Sequence, residues 1–152
     1  MKKIVALNAF VCLAIACAVT PAPRVIKNTF PVERPIDAVW QSTVEAFADL
    51  NLSIETINKD SFLIASKAVT VPKEYSDCGS QEAGDVRSDY RAQFNVFLKK
   101  TGESSTEMKV NAIFDRIVFY DLPAGPRTYT CVSTGKLEAT FYETIKAKLG
   151  IK

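Results

Sequence analysis

The sequence predicts an α+β domain: an antiparallel sheet of about five strands with two helices packed on one face, in the order β-α-β-β-β-β-α. Two observations predict it. Two segments repeat their apolar residues at helical spacing, one from Ile36 to Leu50 and one from Leu137 to Leu149. Between them, Tyr90–Leu98 and Glu107–Tyr120 alternate apolar and polar residues, the mark of strands with one wet face. A last helix laid across the concave side of such a sheet is a helix-grip arrangement.

The start of the chain stands apart. Met1-Lys2-Lys3 is positive, and Ile4–Ala16 is apolar. That run, about 13 residues, is shorter than the roughly 20 a spanning helix needs, so residues 1–16 read as a signal peptide. It closes on Leu13-Ala14-Ile15-Ala16-Cys17, the pattern of a bacterial lipobox. Ala14 and Ala16 also satisfy the Ala-x-Ala rule of ordinary secretory cleavage. Both readings cut between Ala16 and Cys17 and differ in whether Cys17 is lipidated. Lipidation at Cys17 is the expectation, because the cysteine directly follows the cut and a polar tether follows it. Residues 17–23 are then a lipid-anchored tether, with Ala18–Pro23 reaching about 20 Å when extended. Cys12 is lost with the leader.

Residues 24–152 read as a single domain. Arg24–Val32 is a first strand. Pro35 starts a helix at its first position, with Asp37 in the first turn. Ile36, Trp40, Val44 and Phe47 form its stripe, widened by Val39 and Leu50, which makes Trp40 a core residue rather than a ligand platform. Leu52–Asn58 and Ser61–Val69 are strands about a tight turn at Asn58-Lys59-Asp60. Val71–Ser88 carries Pro72, Gly79, Gly84 and the acids Glu74, Asp77, Glu82 and Asp85. It reads as a long exposed loop.

Beyond the first alternating strand, Lys99–Ser105 turns the chain. On the return strand Met108, Val110, Ala112 and Phe114 face one way, and Lys109, Asn111 and Asp115 the other. Ile117–Tyr120 breaks the alternation and predicts a bulge or a second contact surface. Leu122–Arg127 is a rigid turn, and Tyr129–Val132 rejoins the sheet. Ser133-Thr134-Gly135 opens the last helix, with Glu138 in the first turn where a carboxylate suits the helix dipole. Leu137, Phe141, Ile145 and Leu149 recur every fourth residue, Lys146 and Lys148 fill the last turn, and Gly150 is a stop.

The charge balance narrows the function. Lys+Arg is 19 and Asp+Glu is 17; without Lys2 and Lys3 the domain carries 17 of each. No basic run or known module points to nucleic acid. The chain has no His, which removes the usual general base and the Ser-His and Cys-His pairs. Gly135-Lys136 lacks the earlier glycine of a phosphate loop. Asp77, Glu82, Asp85 and Asp89 fit no calcium-loop spacing. No catalytic residue, metal site or cofactor is indicated, and the chain reads as a non-enzyme. Cys78 and Cys131 are the cysteines of the domain proper. In an exported protein they read as a disulfide. Closing a loop of about 54 residues stabilises by roughly 4 kcal/mol in the chain-entropy estimate.

Phe30-Pro31-Val32-Glu33-Arg34-Pro35-Ile36-Asp37-Ala38-Val39-Trp40, followed by Leu52-Ser53-Ile54-Glu55, resembles the opening of BamC-like helix-grip lipoprotein domains. Ser133-Thr134-Gly135-Lys136-Leu137-Glu138 is similar to the helix start of small bacterial envelope lipoproteins. The resemblance spans most of residues 24–149. It departs in domain number, since BamC-like proteins carry two such domains. It implies the fold and an envelope location. Ala18 rather than Asp after Cys17 implies, by likeness to bacterial lipoproteins, the periplasmic face of the outer membrane. The expected function is protein-protein contact in envelope assembly or maintenance, with the membrane and an envelope protein as partners. The alternative is a carrier or sensor of a small apolar ligand between sheet and terminal helix. Phe62, Phe94, Phe114 and Phe141 are the residues that either fill that space or line it.

Overall fold

The structure, a computed structural model, describes residues 24–79, 87–120 and 125–151. Leader, tether and Cys17 lie outside these residues, as do Glu82 and Asp85. The described residues fold as α+β with two helices and an antiparallel sheet. Its elements are β1 (Thr29–Val32), α1 (Ile36–Asp49), β2 (Ile54–Asn58), β3 (Leu63–Ser66), β4 (Val69–Thr70), a 3₁₀ turn (Lys73–Tyr75), β5 (Ser76–Asp77), β6 (Arg87–Lys100), β7 (Thr106–Phe119), β8 (Arg127–Ser133) and α2 (Lys136–Lys148).

Eight strands are therefore present among the described residues, not about five. The run Ser61–Val69 splits into β3 and β4, the loop contributes β5, and the segment around Tyr129 is a full strand. Sheet order is β2-β3-β6-β7-β8-β5, with β1 also on β7 and β4 also on β6. β6 and β7 are paired along their whole length, from Arg87↔Phe119 to Lys100↔Thr106. That occupies one edge of each. β1 and β8 therefore share the other edge of β7, and β3 and β4 share the other edge of β6.

The expected bulge at Ile117–Tyr120 is absent, since pairing with β6 runs through Val118 and Phe119 without a shift in register. The apolar run is two-sided instead. Val118 is buried, whereas Ile117 and Phe119 are half-buried on the opposite face. The turn after β2 is also longer than three residues. Phe62 N–H closes it on the Lys59 carbonyl at 3.2 Å, with Phe62 itself at φ 51°.

Alternation sets the faces. Phe94, Val96 and Leu98 of β6 and Met108 and Val110 of β7 are buried beneath the helices. α1 covers them with Ile36, Val39, Trp40, Ala46 and Phe47; α2 adds Phe141 and Ile145. Phe47, Phe94 and Phe141 meet as a ring triad, with centroids 5.3–5.5 Å apart. Trp40 is core and packs edge-on against half-buried Phe62 at 5.7 Å. Phe114 belongs to a smaller cluster with Ala92 and Cys131.

Pro35 is the N-cap of α1 rather than its first residue; its ψ of 146° is extended, and Ile36 opens the helix. α2 ends as its sequence dictates. Gly150 takes φ 64°, and Ile151 N–H returns to the Lys146 carbonyl at 3.0 Å. Lys148 pairs with Asp49, linking the ends of both helices.

Candidate functional site

Val71–Gly79 was expected to belong to a free loop. It is instead a strap tied to the end of the sheet. Val71 N–H donates to the Tyr90 carbonyl at 3.0 Å. Thr134 holds the strap twice, donating its N–H to the Tyr75 carbonyl at 3.1 Å and its hydroxyl to the Glu74 carbonyl at 3.0 Å. Ser76 and Asp77 pair with Ser133 and Val132. Cys78 and Cys131 are bonded, with Cα atoms 4.3 Å apart, across a sequence separation of 53. Val71, Tyr75 and Cys78 pack on the Ala92–Phe114–Cys131 cluster.

Thr134 does not cap α2. Gly135 is the N-cap, at φ 82°, a conformation glycine adopts without a Cβ clash. Ser133 takes the capping role from one step further back. Its Oγ accepts from Gly135 N–H at 2.9 Å and donates to the Glu138 carboxylate. Glu138, read as a first-turn acid that suits the helix dipole, is fully buried.

The strap divides two clefts. One, of about 480 Å³, is charged and includes Arg24, Lys73, Glu74, Asp77, Tyr90 and Arg116 in its lining. Its charges are already engaged in part: Arg24 pairs with Asp77 at 2.6 Å, and Arg116 Nε donates to Ser88 Oγ at 3.0 Å. The other, of about 390 Å³, lies between the strap, the end of α1 and α2. Phe94 and Phe141 floor it, and Leu52, Val71, Tyr75 and Leu137 are its half-buried walls. None of the described residues lining it is charged. Four separate stretches of chain supply that lining, which is why no single motif announces it. The local signal was the apolar set Val69, Val71, Pro72 and Tyr75 inside a polar stretch.

The face of the sheet away from the helices has a different make-up. Asn28, Asn111 and Asn95 form a ladder of amide hydrogen bonds across three segments, at 3.0 and 3.1 Å. Gln93 donates to Glu55 at 2.6 Å. Ile113 and Phe97 stand out of this polar face at 60% and 40% exposure.

Of the acids Asp77, Glu82, Asp85 and Asp89, two are described, and each of these faces an arginine. Asp77 faces Arg24, Asp89 faces Arg87 at 2.9 Å, and Glu82 and Asp85 lie outside the described residues. The hydrogen bond from Arg87 holds the Asp89 carboxyl below its ordinary range, and the same bond raises the Arg87 guanidinium. Among the described residues no three of Cys, Asp or Glu are grouped so as to hold a metal ion. No helix among them is long and apolar enough to cross a membrane. No protein-family model matches the chain, and no curated protein matches it.

Proposed function

We propose that this chain is a lipid-anchored envelope protein of the helix-grip kind, held at the periplasmic face of the outer membrane through Cys17. It acts by protein contact in envelope assembly or maintenance rather than by chemistry. The observation that carries this reading is the helix-free sheet face. Both helices cover one side of β6 and β7, and the other side presents Ile113 and Phe97 among amides and charged side chains, with Phe97 opposite Lys109 and Ile113 opposite Gln93. Isolated apolar anchors ringed by polar and charged side chains have the layout of a non-obligate protein interface with a polar rim. The lipobox-like Leu13–Cys17 and the short tether support the location.

The test places a photo-crosslinking residue at Ile113 and, separately, at Glu143 on the outer side of α2, in cells making the full chain. A discrete adduct from Ile113 alone, lost in Phe97→Asp, is the expected result. Equal labelling from both positions overturns the contact face. Cys17→Ala, followed by fatty-acid labelling and fractionation, tests the anchor: the label is lost and the protein leaves the membrane fraction. Unchanged fractionation overturns the anchor.

A further inference from the structure

The uncharged cleft lies on the opposite side of the sheet from the contact face and is independent of it. We propose that it binds a small neutral molecule, mostly hydrocarbon, whose polar end stays at the rim. Its volume of about 390 Å³ lies in the range of small-molecule sites. The floor is firm. Phe94 and Phe141, each 2% exposed, are already packed on one another and on Phe47. A ligand therefore rests on the core and does not replace it.

The chemistry of the lining selects the ligand. A carboxylate or ammonium seated against Phe94, Val71 and Leu137 would lose water and find no counter-ion in the lining. A hydrocarbon would bury its surface there instead. Exposed Thr70, Asn51 and Thr140 line the rim and supply hydroxyl and amide partners for one polar group. The wall is preorganised, because Tyr75 is held by Thr134 and the strap by the Cys78–Cys131 bond. Little ordering remains to be done on binding.

The experiment uses the exported chain carrying Cys17→Ala, so that no detergent competes. Two fluorescent probes share one ring skeleton: neutral N-phenyl-1-naphthylamine, and its sulfonate 8-anilinonaphthalene-1-sulfonate. Saturable one-to-one binding of the neutral probe is expected, with at least tenfold weaker binding of the sulfonate. Val71→Arg in the wall weakens the neutral probe at least tenfold. Ile113→Arg on the far face changes it less than twofold. Thr140→Arg, on the exposed rim of α2, repeats the Val71 test should Val71→Arg fail to fold. No saturable binding, equal affinity for both probes, or no effect of either cleft variant overturns the proposal. A loss confined to Ile113→Arg overturns it too, and assigns apolar binding to the contact face.

Discussion

Ser133 Oγ stands between the Gly135 amide and the Glu138 carboxylate, 2.9 Å from the nitrogen and 2.8 and 3.0 Å from the two carboxylate oxygens. One hydroxyl thus serves an orphan N–H at the helix start and a fully buried acid. Ser133→Ala should cost about 1–3 kcal/mol, because it leaves buried polar groups without this partner. Glu138→Gln should cost less, since an amide oxygen still accepts from Ser133. Urea unfolding checks both; a loss below about 0.5 kcal/mol for Ser133→Ala would show that the bridge is not stabilising.

The disulfide and Thr134 hold the same strap. The double variant Cys78→Ala/Cys131→Ala should lose about 2–5 kcal/mol. Limited trypsin treatment should then cut first at Lys73 while the sheet signal in circular dichroism remains. Arg87, at the start of β6, should follow. Thiol titration of the unfolded, unreduced Cys17→Ala protein is the direct measurement. Two reactive thiols from this pair would contradict the bond.

Long periodic elements were legible before the structure. Leu137, Phe141, Ile145 and Leu149 placed α2, and its bounds, Lys136–Lys148, follow that stripe closely. β6 and β7 were visible from alternation alone. The two-residue strands were not, because β4 and β5 exist through pairing with β6 and β8 rather than through any pattern of their own. The Ile117–Tyr120 run misled because both faces of β7 carry apolar residues there. Glu138 was legible as a dipole partner in the first turn, but nothing in the sequence marked its burial or its bond from Ser133. Phe94 and Phe141 of the cleft floor were legible as residues of the space between sheet and terminal helix; the walls Leu52, Val71 and Tyr75 were not, because they come from distant stretches of chain.

Phe47 is the hinge-pin of the core, touching Phe94 of the sheet and Phe141 of α2. Phe47→Ala should cost about 3–5 kcal/mol through lost burial and a cavity. Phe97→Ala, on the open face, should change stability by about 0.5 kcal/mol or less. Paired thermal melts decide; similar losses for the two would contradict the assignment of faces.

Asp89 titrates below the ordinary aspartate range because Arg87 donates to it. Its contribution to stability is therefore complete above the unfolded-state value. It is lost as pH falls through the lowered folded-state value. Carboxyl-carbon NMR should show the depressed titration, and Arg87→Gln should return it toward normal. An unchanged midpoint in that variant would remove Arg87 as the cause.

β1 meets its partner late. Thr29 lies opposite Lys109, so the first strand has no seat until most of the chain has been made and delivered. A chain crossing a membrane N-terminus first could form α1 and the β2–β3 hairpin early, but their apolar faces await β6 and β7. Closure of the sheet is then the slow, long-range step. If the chain is exported as proposed, its most vulnerable interval is the one with Phe30 and Val32 exposed, and the time from translocation to completion of β7 is the period in which a periplasmic chaperone would matter most.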